Sequence, residues 1–371
     1  MSLDNLTASL TSIEARDLSV VLGGREIIDI PTLNIYKNEV LAIIGPNGSG
    51  KTTLLLALSL LVRPETESSI LYLGEQVKYG SNVLKLRRRS AVLFQEPLLL
   101  AGNVWDNVTL GLRLRGVQKG EINVRAEKWM ERFGITGFAK RQVKTLSGGE
   151  AKRVSLARAF VLQPEILFLD EPFTALDSPT RQSLMEDFES VLRETKVTTV
   201  MVTHDRNEAI LLASRIAVLL KGRIWQIGTP EEVFSHPVDE DVAGFVEAGT
   251  IIHGIVNSHS GGLSIISAGG KEITLASDLA PGKEVTLFLR HEDITLCLPN
   301  AQSGPTSARN NMMGKVTRLF PIGSQMRVTL DCGFPLVALI TKQSAEDLQL
   351  AQGSDIIATF KATAVHVIKS Q

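Results

Sequence analysis

The sequence predicts two architectures in one chain: an α/β region with a parallel-sheet core over residues 13–245, then an all-β region of small barrels over 246–371. Three observations carry this reading. In the first region, continuous apolar runs alternate with helix-like stretches, the pattern of strands buried on both faces of a parallel sheet. A glycine-rich turn follows one of those runs directly. After about residue 246 the composition shifts to short alternating runs with many glycines, which reads as strands joined by turns. A chain of 371 residues also exceeds one ordinary domain, at roughly 150 residues each.

Taken in order, residues 1–12 carry no reading beyond a mobile start. They lack a basic segment followed by an apolar core, so no leader is expected. Val40–Ile44, Ala91–Phe94, Ile166–Leu169 and Thr199–Thr203 are the buried-strand candidates. The segment from Gly228 through Thr229, Pro230, Glu231 and Glu232 reads as a turn and a helix start. Beyond it, IIHGIV, LSIIS, KEITL, EVTLFL, MRVTL, LVALIT and IIATFK read as strands. A weak repeat runs through them: Leu279–Arg290 and Leu350–Lys361 each carry a glycine followed eight residues later by a cation, and another apolar strand follows both. Two OB-like halves, about 246–297 and 307–369, are therefore expected, with 297–306 as linker.

Composition narrows the function classes. Lys plus Arg is 39 against 40 Asp plus Glu, so net charge does not suggest a nucleic-acid binder. Cys297 and Cys332 make neither a disulfide framework nor a metal quartet. The longest apolar stretch, Leu54–Val62, is interrupted by Ser59 and falls far short of the about 20 residues that span a bilayer. A chain soluble by itself is expected, with any membrane role arriving through a partner.

The chemistry sits in three motifs. Gly45, Pro46, Asn47, Gly48, Ser49, Gly50, Lys51, Thr52 and Thr53 read GPNGSGKTT, between a buried strand and an apolar helical run. Glycines let backbone N–H groups turn inward on phosphate oxygens, and the helix start adds positive dipole. Lys51 can reach the β- and γ-phosphates and Thr52 can coordinate Mg²⁺. This is a P-loop NTPase site, and ATP with Mg²⁺ is the expected ligand pair. Asp170 and Glu171 emerge at the end of the strand Ile166–Leu169, where ligands of such sheets bind. Asp170 is expected to hold Mg²⁺ and Glu171 to polarise the attacking water. Ser147, Gly148 and Gly149 open a second helix, marked by Ala151, Val154, Ala157 and Phe160 at helical spacing. Ser147 is a good cap there, and the bare backbone again suits phosphate.

Together these motifs closely resemble the ATPases of ABC transporters. GPNGSGKTT is Walker A, Gln95 lies in the Q-loop, LSGGE at 146–150 is the signature, 166–171 is Walker B, Ala175–Asp177 the D-loop, and His204 with Asp205 the switch. They occur in family order over about 13–245, and LSGGE is the family-specific one. The resemblance implies a helical subdomain beside the sheet and a head-to-tail homodimer with two ATPs at its interface. Ser147, Gly148 and Gly149 would then touch the partner copy's γ-phosphate, Gln95 would sense Mg²⁺ and the water, and His204 would hold Glu171 and the γ-phosphate. Asp177 would link the two sites. It also implies integral-membrane permease subunits, an extracytoplasmic solute-binding protein, a place on the cytoplasmic face of the membrane, and no nucleic acid. One position departs from the family: the aromatic that stacks on adenine is replaced by Leu22, leaving aliphatic contacts from Leu22 and Ile27.

The C-terminal region resembles TOBE domains, its second half being similar to the mop type that binds molybdate or tungstate. The resemblance implies an oxyanion site drawn from Ser307, Arg309, Thr341, Ser344, Lys361 and Thr363. An importer ATPase for tungstate or molybdate is the leading expectation. Sulfate, a sugar, a polyamine or iron is the alternative cargo.

Overall fold

The computed structural model describes residues 11–65, 70–247, 249–299 and 306–370. Of the expected mobile start over 1–12, residues 1–10 lie outside the described residues, whereas Thr11 and Ser12 open the first strand; most of the expected linker, 300–305, also lies outside the described residues. The chain divides into two compact units, Met1–Pro230 and Glu231–Gln371.

In the first unit, β1 (Thr11–Leu22) and β2 (Arg25–Tyr36) form a long antiparallel hairpin. Then come β3 (Val40–Ile44), α1 (Lys51–Leu58), β4 (Ile70–Tyr72), β5 (Glu75–Gln76), α2 (Val83–Arg87) and β6 (Ser90–Leu93). Three helices follow, α3 (Val104–Leu114), α4 (Lys119–Arg132) and α5 (Gly148–Phe160). The unit ends with β7 (Ile166–Asp170), α6 (Ser178–Thr195), β8 (Thr198–Val202), α7 (Arg206–Leu212), β9 (Arg215–Leu220) and β10 (Arg223–Gly228). The central sheet has the order β10-β9-β3-β8-β7-β6, parallel except for β10. All four predicted buried strands lie in it, and β7 and β8 are buried at every position because helices cover both faces. A second sheet, β2-β1-β4-β5, is antiparallel and shares one apolar core with the first. Trp129, Phe133, Phe160, Phe173 and Phe188 form a chain of ring contacts, with centroids 4.8–6.2 Å apart, that ties α4 and α5 to α6.

In the second unit, α8 (Pro230–Ser235) and α9 (Glu240–Val246) come first. The sequence reading put the boundary after residue 245, but these helices belong to the β unit: Ser235 accepts from Arg290 at 2.9 Å and Glu240 accepts from Thr286 at 2.9 Å. The strands are β11 (Gly249–Ser260), β12 (Leu263–Ala268), β13 (Lys271–Leu275), β14 (Glu284–Arg290) and β15 (Thr295–Cys297). They continue with β16 (Asn310–Ile322), β17 (Gln325–Asp331), β18 (Pro335–Thr341), α10 (Lys342–Asp347), β19 (Asp355–Phe360) and β20 (Val365–Ser370).

The internal repeat is real in space, with one correction. The sheets run β13-β12-β11-β14-β20 and β15-β19-β16-β17-β18, the same order twice, except that each half's last strand joins the other half's sheet. The halves are therefore interlocked rather than two separate barrels, and one apolar core runs through both. Equivalent residues stitch them together: Asn310 receives Thr274 N–H at 2.7 Å and donates to Thr274 O at 2.8 Å, while Thr250 accepts from Val337 N–H at 3.2 Å. The two hairpin turns meet back to back at Gly269 and Gly333, where a Cβ on either would sit within 2.5 Å of the other's carbonyl oxygen.

Candidate functional site

Strand β3 ends at the glycine-rich loop and α1 begins on its far side, so the loop is held between two rigid elements. Gly50 takes φ +100°, and a Cβ there would stand 2.7 Å from Ile28 Cδ1; only glycine closes this turn. Lys51 Nζ donates to the carbonyls of Gly45 (2.8 Å) and Pro46 (3.0 Å), arching over residues 45–50. Burial pulls its pKa below the ordinary lysine value, with Glu171 and Asp170 opposing. Ser49 is 3% exposed, and its hydroxyl is buried without a hydrogen-bond partner. An unpartnered buried hydroxyl at a helix start fits a phosphate oxygen.

Thr52 Oγ1 donates to Asp170 Oδ1 at 3.2 Å, joining the helix start to the end of β7. Asp170 is buried, and burial raises its carboxyl above the usual range while the Thr52 bond opposes. A hydroxyl and a desolvated carboxylate at one point are hard oxygen donors, which fits Mg²⁺. The next residue, Glu171, sits at φ 43° and faces a cluster of donors. Thr174 Oγ1 lies 3.0 Å from its Oε2, Gln95 Nε2 lies 3.4 Å from the same oxygen, and His204 Nδ1 lies 3.0 Å from Oε1. The structure thus gathers Lys51, Thr52, Gln95, Asp170, Glu171 and His204 into one connected site, with Pro46, Asn47, Gly48 and Thr53 in the loop and first turn.

Two residues of this site escaped the sequence reading. Thr174 lies three positions past Glu171, and only its turn brings it back. Lys152, in the stripe of α5 that faces inward, is buried and donates to the carbonyl of Gln95, tying the signature helix to the Q-loop residue. A lysine inside an apolar helical stripe is the one signal that marked it.

Ser147 and Glu150 form a reciprocal capping box at the start of α5, with Arg141 bonded to Glu150 at 2.7 Å. Ser147 and Gly148 are exposed and Gly149 is buried against Thr180. No described hydrogen bond joins them to residues 45–53. Asp177 caps α6 by accepting from Thr180 N–H at 3.2 Å. Leu22 is 47% exposed beside the β1–β2 turn, while Ile27 lies against Gly50.

In the second unit, Ser307 and Lys361 line one cavity of about 490 Å³ with Thr306, Asn311, Thr359 and the carboxylate of Asp293. Thr341 and Ser344 are bonded to each other at 2.7 Å and 3.0 Å, where Thr341 caps α10. They do not line that cavity, and neither do Arg309 and Thr363, both of which are exposed.

Comparison with known proteins identifies the family. The ABC transporter family model matches residues 28–174, and the TOBE domain model matches 306–367. Molybdate/tungstate import ATP-binding protein WtpC of Pyrococcus abyssi is 36% identical over 338 residues, 91% of this chain and 94% of that protein. The chain belongs to the ABC transporter family. It is an ATP-binding subunit of that family, an ATPase that works with membrane permease partners. Similarity extends to the spermidine/putrescine import protein PotA of Acetivibrio thermocellus (34%, covering 77% of each chain) and to the sulfate/thiosulfate import protein CysA 1 of Rhizobium meliloti (35%, 83% and 85%). Among solved structures, cbiO1 of Clostridium perfringens, part of the ABC transporter complex cbiONQ, matches with TM-score 0.57 and 28% identity, covering 61% of this chain and 92% of that one. No helix among the described residues is long and apolar enough to cross a membrane.

Proposed function

We propose that this chain is the ATP-hydrolysing subunit of an importer for tungstate and molybdate, held at the cytoplasmic face of the membrane by its permease. The observation that carries this is the likeness to the molybdate/tungstate import proteins, which runs through both units over 91% of the chain. The polyamine and sulfate import relatives cover 68–83% of it, which favours them less.

The residues support a plain division of labour. The backbone of 45–50, Lys51 and the Ser49 hydroxyl hold the phosphates. Thr52 and Asp170, with Gln95, are placed to hold Mg²⁺, which when bound would neutralise phosphate charge. Glu171 orients and polarises water, kept in place by Thr174, Gln95 and His204. Ser147 and Gly148 face outward, with Gly149 behind them against Thr180, for the ATP of a second copy in a head-to-tail pair. Leu22 and Ile27 give adenine an aliphatic seat. Cargo choice rests with an extracytoplasmic binding protein and the permease.

Of the oxyanion candidates, Ser307 and Lys361 are the pair that share a cavity, and an oxyanion there would feed cargo level back to the ATPase. Calorimetric titration of the full chain with tungstate, molybdate and sulfate tests this. Binding of the first two that vanishes in Lys361→Ala is the expected result. No binding reduces the second unit to a structural module and returns the cargo to the alternatives.

A further inference from the structure

His204 reaches Glu171 from the short turn between β8 and α7. Its side chain is 54% exposed, yet the residues on either side of it are held by a closed set of bonds. β8 ends at Val202, whose carbonyl accepts Glu171 N–H at 2.9 Å, and Thr203 N–H donates to the carbonyl of Ile43 at 3.2 Å. Asp205 caps α7, its Oδ1 accepting from Asn207 N–H at 2.8 Å and from Glu208 N–H at 3.3 Å. Thr203 and Glu208 are both buried.

The arrangement departs from an ordinary capping box in one place. There, the glutamate three positions after the cap accepts the cap residue's own N–H. Here Asp205 N–H goes instead to Thr203 Oγ1 at 3.0 Å, and the Thr203 hydroxyl donates onward to Glu208 Oε2 at 2.5 Å. The box is thereby widened to start at Thr203, and the residue it encloses is His204. Capping α7 does not require this, since Asp205 already satisfies two of its first N–H groups. A buried carboxylate is also disfavoured at this place: burial raises the Glu208 carboxyl above its usual range, with the Thr203 bond opposing. The same turn is anchored from α6 by Arg181, whose Nη1 donates to Asp205 Oδ2 at 3.2 Å while Nη2 reaches the carbonyl of Leu176 at 3.5 Å.

We infer that Glu208 is a positioning residue for ATP hydrolysis: through Thr203 it fixes the turn that sets His204 Nδ1 3.0 Å from Glu171 Oε1. Arg181 holds that turn from its other side. The described bonds of the Glu208 carboxylate stay within the turn, so its effect on the reaction passes through His204. The inference rests on the proposed reading that His204 and Glu171 act together on the attacking water.

The test compares Thr203→Val and Glu208→Leu, which break the link, with Thr203→Ser and Glu208→Gln, which keep a donor and an acceptor in place. In the nucleotide-free full chain, the histidine ring signal that disappears in His204→Ala reports the position of His204 by NMR. That signal should move in the valine and leucine variants and return in the serine and glutamine ones. In the first pair kcat should fall about tenfold while KM for ATP stays within about twofold, and the second pair should recover most of the rate. Added to His204→Ala, Thr203→Val should cost no more than about twofold further, because both changes act through one group. If the valine and leucine variants lose the parent's thermal melt, Arg181→Gln carries the test, its side chain being 36% exposed; it should move the same signal and lower kcat about threefold. Folded variants that keep both the signal and the rate overturn the inference, and so does a further tenfold loss in the His204→Ala background, which would mark a general structural role. A His204→Ala chain with wild-type kcat would remove the reading of the site itself and the inference with it, whereas a slow His204→Ala beside a fast, folded Glu208→Leu sinks the inference alone.

Discussion

Thr174→Val removes one hydroxyl and almost no volume, and the bond it breaks is the shorter of two that reach Glu171 Oε2. The remaining contact, from Gln95 at 3.4 Å, is at the long limit for a hydrogen bond. Oε1 keeps His204 at 3.0 Å, so the carboxylate stays tethered at one oxygen and is free to swing at the other. A hydrogen bond to a charged group contributes about 1.5–3 kcal/mol, and the partly exposed setting puts this one near the lower end. About 1.4 kcal/mol is a factor of ten, so kcat for ATP hydrolysis should fall about tenfold. KM for ATP should hold, because the bonds that shape residues 45–51 do not involve Thr174. Steady-state hydrolysis assays on wild type, Thr174→Val and Thr174→Ser read this directly, with serine restoring most of the rate. A valine variant within twofold of wild-type kcat refutes the view that this bond positions the general base.

Other substitutions probe the neighbouring parts. Lys51→Ala removes both the arch over the loop and the phosphate contact, so nucleotide binding should be lost; unchanged affinity by calorimetry would sink the loop assignment. Burial raises the Asp170 carboxyl, so above that raised value the folded chain carries a disfavoured charge, and the penalty fades as pH falls through it. Asp170→Asn should therefore raise the Tm of the ligand-free chain at about pH 8 and give no gain at about pH 4. A lower Tm at the higher pH would contradict the sign. Leu22→Tyr should tighten ATP binding several-fold if the aliphatic seat is the weak point, whereas an unchanged Kd means that adenine is held elsewhere. Asn310→Ala strips both partners from the Thr274 backbone, at about 1–3 kcal/mol for each buried group left unpaired. Amide exchange over 271–275 should accelerate at least tenfold in that variant, and protection equal to wild type would count against the bridge.

The parts of the fold that were legible share one property: their neighbours follow from burial alone. β3, β6, β7 and β8 read as continuous apolar runs because helices cover both sheet faces. The sheet of β1, β2, β4 and β5 was not legible, since β4 and β5 have three and two residues, β4 gains its place only by pairing with distant β1, and β5 only by pairing with β4. The exchange of β15 and β20 was invisible for a different reason. Ile294–Leu296 and Val365–Ile368 bury the same apolar side chains whichever sheet they join, so their pattern fixes the strand but not its partner. The same holds for α8 and α9, whose helix signals say nothing about which unit they pack on. Thr341 and Ser344, read as ligand candidates, have the three-residue spacing of a helix cap, and that is the bond they make.

On the proposed head-to-tail pairing, the candidate site divides into a half that is built within one chain and a half that a second copy completes. Lys51 is bonded to its own loop, Thr52 to Asp170, and Glu171 to Thr174, Gln95 and His204, so the groups proposed for phosphate, cation and water are held in place by bonds within the chain. The signature residues are satisfied differently. Ser147 is engaged in capping its own helix, with Glu150 and Arg141 completing the box, and Ser147 and Gly148 remain open to solvent. No described hydrogen bond joins this helix start to residues 45–53 of its own chain, and on the proposed reading a phosphate presented by a second copy would be the acceptor for its exposed backbone donors. On this proposal hydrolysis depends on pairing: Glu171 can orient water in one chain, but the charge that develops on the γ-phosphate is met only when another chain brings Ser147 and its neighbours to it. Lys152 then matters for more than packing, because it fastens the signature helix to Gln95, the residue that stands beside Glu171. On the same proposal, engagement of the signature helix by a partner's ATP would be linked through that fastening to Glu171, the group proposed to orient water in its own site.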